Sequence, residues 1–124
     1  MRFWFVRRSL GARGERLAER YLRRQGMRIL HRGYRIMGGE IDLVAVDGRT
    51  VVFVEVKTRQ THDAGHPADA VDDRKQHQLT QLAMAYIKRY HLQNCSTRFD
   101  VVAITWGADT PKLEHYRNAF EASR

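Results

Sequence analysis

The strongest structural pattern in the chain is Gly38–Lys57, which reads GGEIDLVAVDGRTVVFVEVK. Two apolar runs rich in β-branched residues, Ile41–Val46 and Val51–Val56, flank a turn that contains Asp47-Gly48. An Asp-Gly pair between such runs is typical of a tight β-hairpin. The stretch therefore predicts two antiparallel strands at the centre of the fold.

Four charged side chains interrupt these otherwise apolar strands, namely Glu40, Asp42, Glu55 and Lys57. Side chains alternate between the two faces of a strand, so Glu40 and Asp42 share one face. For the same reason Glu55 and Lys57 share one face. Whether these two faces coincide depends on the register of the hairpin.

The length of the hairpin loop sets this register. A two-residue loop at Gly48-Arg49, or a four-residue loop, pairs Asp42 directly with Glu55. A loop at Asp47-Gly48 instead places Glu40 opposite Glu55, with Asp42 one step along the same face. Only a loop of odd length separates the acids. We therefore expect three acids and a lysine on one face, where mutual repulsion favours a bound divalent cation.

The positive charge of the chain is concentrated near its start. The net charge is +8, and residues 1–35 contain eleven arginines against Glu15 and Glu19. Arginine is the main basic residue of the chain, and its planar guanidinium suits phosphate recognition. This distribution favours a nucleic-acid partner over a merely solubilising surface.

Composition limits the class of protein. With 124 residues, 43% hydrophobic and 29% charged, we expect one globular domain, 1–124. Residues 1–8 are open to three interpretations: a packed N-terminal arm, a nucleic-acid contact or a partly ordered tail. Cys95 is the only cysteine, which excludes an internal disulfide and fits a reducing cytoplasm. No apolar run approaches the roughly 20 residues of a membrane-spanning helix, so we expect no membrane partner.

A first helix is predicted from Ser9, a suitable N-cap, to Gly26, a suitable C′ residue. Its apolar side consists of Leu10, Leu17, Ala18, Tyr21, Leu22 and Gln25. Its opposite, basic side consists of Arg13, Arg16, Arg20, Arg23 and Arg24. Glu15 lies at the margin of the apolar side, and spacing alone favours an ordinary surface position for it.

The other elements follow from periodicity and turn residues. They are a strand over Arg28–Ile36, a helix over about Asp69–Tyr90, a doubly buried strand over Arg98–Trp106, a short edge strand over Leu113–Tyr116 and a turn over Asn118–Phe120. The apolar stripe of the second helix consists of Leu79, Leu82, Ala83, Tyr86, Ile87 and Tyr90. The predicted fold class is α/β: a helix, a three-stranded meander, a helix and one or two strands, in a mixed sheet flanked by helices.

Some polar residues allow more than one interpretation. His62 and His66 lie in a predicted polar loop, 58–73, where their spacing favours exposed histidines over a zinc site. Lys75 suits a solvated first-turn lysine and a phosphate contact equally. For Asp100, pairing with Arg98 or capping the strand is favoured over a place beside the site.

Three motifs carry a family resemblance: GEIDL at 39–43, FVEVKTR at 53–59 and RFDVVAI at 98–104. Together they resemble the YraN family of uncharacterised bacterial proteins, over about Gly14 to Ile104. An Asp followed by Glu-x-Lys is also similar to the PD-(D/E)xK nuclease superfamily. The resemblance implies a restriction-endonuclease-like fold and an endonuclease similar to archaeal Holliday-junction resolvases. The Gly14-Glu15 dipeptide implies an acid on the first helix near the metal.

This resemblance and the ligand chemistry give each residue an expected role. Asp42, Glu55 and the Val56 carbonyl would bind Mg²⁺ or Mn²⁺, which prefer hard oxygen ligands. Glu15 and Glu40 would act through water or a second ion, and Lys57 would orient or deprotonate the attacking water. The expected phosphate contacts are Arg13, Arg16, Arg20, Arg23, Arg24, Arg59 and Lys75.

The expected partner is nucleic acid, with DNA favoured, and junction-cleaving relatives suggest a homodimer. Two alternatives remain open at this point. The four charges of the hairpin could form cross-strand ion pairs, with Arg35, Arg59 or Arg98 as further partners. The chain could also be a non-catalytic nucleic-acid-binding or assembly module on a nuclease fold.

Overall fold

A computed structural model describes residues 2–60, 71–107 and 110–123, with the backbone alone for 2–10. The elements in chain order are α1 (Arg2–Arg24), β1 (Arg28–Ile36), β2 (Gly39–Asp47), β3 (Thr50–Gln60), α2 (Asp73–Arg89), β4 (Ser96–Trp106) and β5 (Lys112–Phe120). In this part of the chain, no helix combines the length and the apolar character needed to cross a membrane.

The five strands form one sheet in the order β1-β2-β3-β4-β5. The β3–β4 pair is parallel and the other three pairs are antiparallel. Parallel neighbours need a long crossover connection, and α2 lies within it. The predicted α/β class and the antiparallel meander β1-β2-β3 are therefore confirmed.

The hairpin has the shorter of the two loops that pair Asp42 with Glu55. Asp47 pairs with Thr50, and Leu43 pairs with Val54, which leaves the two-residue loop Gly48-Arg49. Gly48 has a φ of +63°, which a primed two-residue turn requires at its first position. The alternative loop at Asp47-Gly48 is wrong.

Each helix covers one face of the sheet and buries its own core. The core beneath α1 contains Ala18, Leu22, Met27, Leu43, Ala45, Val52, Val54, Val56, Val102 and Ile104. The core beneath α2 contains Ile41, Val44, Val51, Phe53, Val71, Leu79, Leu82, Ala83, Tyr86, Phe99 and Val101. Because β4 contributes to both cores, the prediction of a strand buried on both faces is confirmed.

The first helix starts earlier than predicted. It begins at Arg2, so the N-cap at Ser9 is wrong and residues 2–8 belong to the helix. No glycine or proline precedes Gly11, so nothing in this segment breaks the helix. Its end is as predicted. Gly26 has a φ of +92°, and the Met27 N–H donates to the Leu22 carbonyl at 3.1 Å, as in a Schellman motif.

Two of the predicted apolar stripes need small corrections. Gln25 is exposed, so it does not belong to the buried side of α1. Tyr90 follows the last residue of α2 and is 38% exposed. The α2 helix itself begins at Asp73, and the Asp72 carboxylate caps it by accepting the Lys75 N–H at 2.9 Å. The predicted loop histidines, His62 and His66, lie outside the described residues.

Two strands, β3 and β5, extend beyond their predicted ends. β3 continues to Gln60, because it pairs with β4 as far as Trp106. β5 runs from Lys112 to Phe120 and includes the predicted turn over 118–120, so the short-strand prediction is wrong. A register shift between Phe99 and Val101, together with a positive φ at Asn118, keeps β5 paired over this length.

Candidate active site

Asp42 lies where the β2–β3 ladder stops. The final backbone pair of this ladder is Leu43 with Val54, and the same register places Asp42 next to Glu55. Beyond that pair, the Asp42 carboxylate replaces the strand partner, since its Oδ2 accepts the Val56 N–H at 2.8 Å. The two predicted metal ligands are therefore neighbours at the end of the hairpin ladder.

Glu55 is a buried carboxylate that lacks a full set of partners. Its side chain is only 7% exposed. Burial, with the charge of Asp42 adding to it, raises the pKa of Glu55 to about 7. Its Oε2 atom is buried and has no hydrogen bond within the described part of the chain. Such an atom is costly to bury and suits a site that receives a ligand.

Two lysines flank this carboxylate. The Lys57 ammonium lies 3.8 Å from Glu55 Oε1, and the Lys75 ammonium lies 3.8 Å from Glu55 Oε2. These distances are too long for hydrogen bonds but short enough for electrostatic attraction. Each lysine side chain is 31% exposed, so both can contact a molecule bound from solvent.

Two further acids contribute to the field of the site. Burial raises the pKa of Glu15 to about 7, with the charges of Asp42 and Glu40 adding to it. Burial also raises the pKa of Asp42, against the hydrogen bond from Val56, and Glu40 again adds to the rise. The repulsion expected between the acids is therefore present, and Glu15 leans toward the sheet despite its marginal position on α1. We call Glu15, Glu40, Asp42 and Glu55 the acid site.

The close approach of α1 to β3 has a specific cause. Gly14 is buried, and a Cβ atom at this position would lie 2.6 Å from Thr58 Oγ1. Such a contact is closer than real Cβ atoms make, so the helix or the Thr58 side chain would have to shift. Gly14 therefore allows α1 to bring Glu15 near the hairpin.

The side chains of the acid site do not form a complete metal site by themselves, and a backbone carbonyl belongs to the predicted ligand set. No group of three or more His, Cys, Asp or Glu side chains in the described ranges is arranged to hold a metal ion. The predicted set is different, because it combines two carboxylates, Asp42 and Glu55, with the Val56 carbonyl. All three supply oxygen, and Glu55 Oε2 has no hydrogen bond within the described residues, so the set suits Mg²⁺ or Mn²⁺.

A basic groove runs beside α1 and reaches the acid site at Glu15. It has a volume of about 540 Å³, and its lining residues are Ala12, Glu15, Arg16, Glu19, Arg20, Arg23, Arg32 and Leu43. Three of the predicted phosphate contacts, Arg16, Arg20 and Arg23, therefore lie together. Glu19 accepts hydrogen bonds from Arg23 Nε at 3.1 Å and from the Arg32 guanidinium at 2.8 Å.

The other predicted phosphate contacts are dispersed. Arg13 stacks over the Trp106 ring at 4.8 Å, away from the groove residues. Arg24 is exposed at the end of α1, and Arg59 donates to Thr105 Oγ1 at 3.4 Å. Lys75 is beside Glu55 instead of being a freely solvated first-turn lysine.

Sequence reasoning missed some members of this surface. Arg32 and Glu19 were not singled out, and no local signal links a strand arginine to a helix glutamate. Lys75 was noted, and its position on the buried stripe of α2 was the available signal that it points toward the sheet.

Asp100 and Arg98 do not belong to the acid site. Arg98 Nε donates to Asp100 at 2.9 Å, as one of the sequence alternatives predicted. Arg98 also pairs with Asp47 at 2.9 Å, so it is engaged away from Asp42 and Glu55. The cross-strand ion-pair alternative therefore fails for Arg98, and the cations next to Glu55 are Lys57 and Lys75.

Comparison with known sequences gives a consistent set of relatives. A sequence model of the uncharacterised protein family UPF0102 matches residues 14–104. A UPF0102 protein of Geobacter metallireducens is 46% identical over 114 residues, which cover 92% of this chain and 93% of the relative. One from Geobacter sulfurreducens is 50% identical over 113 residues, covering 90% and 88%. One from Rhodococcus opacus is 46% identical over 113 residues, covering 90% and 96%. These names state no activity.

Proposed function

This chain belongs to the uncharacterised protein family UPF0102, which is the YraN family that its motifs resemble, and we propose that it is a metal-dependent nuclease of the PD-(D/E)xK type. The observation that carries the proposal is the buried Glu55 carboxylate beside Asp42. One of its oxygens has no hydrogen bond within the described residues, and two lysine ammonium groups lie 3.8 Å from the carboxylate. A site of purely structural ion pairs would satisfy both oxygens with hydrogen bonds.

The reaction proposed is hydrolysis of phosphodiester bonds in DNA, including branched intermediates of recombination and repair, in the cytoplasm. A Mg²⁺ or Mn²⁺ ion held by Asp42, Glu55 and the Val56 carbonyl would supply Lewis-acid polarisation and lower the pKa of a bound water. The restriction-endonuclease-like fold proposed here is supported by the α/β order of the elements and by the hairpin that holds both acids.

The side chains of the chain itself have distinct tasks. Lys57 is held beside Glu55 and partly open to solvent, so it can orient the attacking water and stabilise negative charge on the phosphoryl oxygens. Glu15, with its pKa raised to about 7, can exchange a proton near neutral pH. The arginines of the basic groove neutralise backbone phosphates, which contributes affinity without reading sequence.

The test is a cleavage assay on single-stranded, duplex and branched DNA, with Mg²⁺ and with Mn²⁺. We expect Lys57→Ala to lose about 10²–10⁴-fold in rate while still binding DNA. Lys112→Ala is the matched control, because Lys112 is 74% exposed on β5 and pairs only with the surface Glu114 in the described contacts. Its rate should equal that of the wild type.

A second readout does not depend on activity. Excess Mn²⁺ should raise the melting temperature of the wild type by mass action and should not raise that of Asp42→Asn. Absence of cleavage on every substrate, together with absence of a metal-dependent shift, would favour the non-catalytic binding module. Equal rates for Lys57→Ala and Lys112→Ala would contradict the role given to Lys57.

A further inference from the structure

The β1–β2 turn presents an apolar side chain in a strained backbone conformation. Met37 has a φ of +52° and is 70% exposed, and Gly38 follows with a φ of +75°. Two-residue turns of this kind ordinarily use Asn, Asp or Gly, which tolerate positive φ. Methionine has no side-chain hydrogen bond to offset the strain, and solvent exposure gives it no burial. Strain of this kind is often retained where the side chain has a function.

The turn is anchored on α2, so the direction of its tip is defined. A Cβ atom on Gly39 would lie 2.9 Å from a Leu82 methyl and 3.2 Å from Gln78 Nε2. The hairpin therefore packs against α2 directly behind the tip. Met37 lies in grooves that also contain the exposed cations Arg35 and Arg74. The tip is thus an apolar point with Arg74 in one adjoining groove and Arg35 in another, which also contains Glu40.

The tip belongs to the same end of the molecule as the acid site. Asp42 is five residues further along β2, which spans at most about 17 Å of extended chain. Arg74 precedes Lys75, whose ammonium lies 3.8 Å from Glu55. Since nucleotides repeat every 3.4 Å along a strand of DNA, this distance corresponds to about five steps.

We propose that Met37 is a wedge that inserts between stacked bases of the nucleic acid, a few nucleotides from the bond to be cut. Arg35 and Arg74 hold the phosphates on either side of the wedge. Apolar side chains, including methionine, unstack base steps in this way, and the unbranched thioether adapts its shape to the gap. This role rests on the proposed nuclease function.

The wedge has a consequence for substrate choice. Unstacking an intact duplex costs free energy, and less is needed where a bulge or mismatch already interrupts stacking. The enzyme should therefore cut faster near such an interruption than in a continuous duplex. The chemical class of preferred substrate is duplex DNA with a local stacking defect.

The experiment uses the full chain and duplexes labelled with 2-aminopurine, whose fluorescence rises when its base unstacks. One duplex is continuous and the other contains a single-base bulge. The variants are Met37→Asn, which suits a positive φ and removes the wedge, and Met37→Leu, which keeps an apolar side chain. The comparison variant is Met84→Asn: Met84 is 59% exposed on α2 without backbone strain and lines one groove with Met37, so it separates the strained tip from its apolar surroundings.

With EDTA present, binding by the wild type, Met37→Leu and Met84→Asn should raise the fluorescence of both duplexes. Met37→Asn should bind with little change in Kd and produce no rise. With Mg²⁺ or Mn²⁺, cleavage by Met37→Asn should be about 10- to 100-fold slower on the continuous duplex, and nearer to the wild-type rate on the bulged one.

The outcomes separate the wedge from the nuclease function. If the wild type cleaves and Met37→Asn matches it in fluorescence and rate, the wedge is wrong and the nuclease function stands. If the wild type neither binds nor cleaves any nucleic acid, the proposed function fails and the wedge fails with it. If Met37→Asn changes only the sedimentation mass of the protein, Met37 contacts a second copy of the chain, and the wedge is overturned.

Discussion

Two buried carboxylates in the same sheet, Glu55 on β3 and Asp100 on β4, differ sharply in their surroundings. They lie one register step apart, because Asp100 pairs with Val54. Their side chains occupy opposite faces: Glu55 lies beside Lys75 of α2, and Asp100 contacts His115, which in turn contacts Tyr21 of α1.

Asp100 is fully buried and fully paired. It accepts hydrogen bonds from Arg98 Nε at 2.9 Å, a second Arg98 nitrogen at 3.2 Å, His115 Nε2 at 2.8 Å and the Asn118 N–H at 3.0 Å. Burial acts to raise the pKa of Asp100, but the hydrogen bonds from His115, Arg98 and Asn118 together lower it. This carboxylate ties β4 to β5.

Glu55 is nearly as buried, and its pKa rises to about 7 because burial, with repulsion from Asp42 adding to it, outweighs the attraction of Lys75 and Lys57. The comparison shows that burial alone does not set the behaviour of an acid in this sheet. The number of donors does, and it separates a carboxylate that stabilises the fold from one that is available to a ligand.

The largest change in stability is expected from Asp100→Asn, which removes the charge of the paired carboxylate. The change leaves the donors of Arg98, His115 and Asn118 facing an amide, and should lower the free energy of unfolding by about 3–5 kcal/mol. Urea denaturation monitored by circular dichroism measures it. Asp47→Asn is the control, because Asp47 also binds Arg98 but is 31% exposed, and it should cost under about 1 kcal/mol. Equal losses in the two variants would mean that Asp100 is not the structural member of the pair.

Glu55→Gln should raise the free energy of unfolding, whereas Asp100→Asn should lower it. A pKa raised from 4.5 to about 7 means that the folded state holds its proton more tightly than the unfolded state. The associated stability is fully present below pH 4.5 and is lost as the pH rises through about 7. At pH 8 with EDTA, the variant should therefore be more stable than the wild type by about 2 kcal/mol. This is less than the full linkage value, because the amide still needs hydrogen bonds.

The pH dependence is the control for that prediction. At pH 4, where Glu55 is mostly protonated in both states, the advantage of Glu55→Gln should be gone, so the variant should be no more stable than the wild type. Denaturation curves at pH 4, 6 and 8 give the profile. A loss of stability at pH 8 would mean that Glu55 contributes favourable ion pairs with Lys57 and Lys75, and the contrast with Asp100 would disappear.

The smallest effect is expected from Gly14→Ala. The added Cβ lies 2.6 Å from Thr58 Oγ1, so α1 must shift and carry Glu15 away from Asp42. The cost should be about 1 kcal/mol, since the gain in helix propensity offsets part of the overlap. Thermal melting measures it, and the pKa of Glu15, followed by NMR, should fall toward 4.5.

Two further variants test the cause of this loss. Thr58→Ala in the same background removes the overlapping atom and should restore most of the stability. In Gly11→Ala, the added Cβ would have no atom within 4 Å, so this variant should stabilise α1. If Gly14→Ala stabilised the protein as Gly11→Ala does, the close contact of α1 with β3 would not exist.

Local sequence patterns were sufficient to predict the hairpin and the C-terminal end of α1. The alternation of side chains on a strand limited the register to a few loops, and most of these placed Asp42 and Glu55 on one face. Gly26 predicted the end of α1, because a left-handed residue there closes the helix whatever packs against it. The boundaries that failed, such as Ser9 and the short β5, depended on weaker local signals and on pairing with β4.

The sequence alone specified the acids of the hairpin and the α/β order, and it limited the alignment of Asp42 with Glu55 to a few loops, since each of these depends on neighbours within a few residues. It did not specify the cations and donors around them. Lys75 reaches Glu55 only because α2 packs across the sheet, and the Asn118 N–H reaches Asp100 only because β5 continues beyond its predicted end. Contacts between elements distant in sequence depend on how helices and strands pack together, and that packing assigned Glu55 and Asp100 their different pKa values.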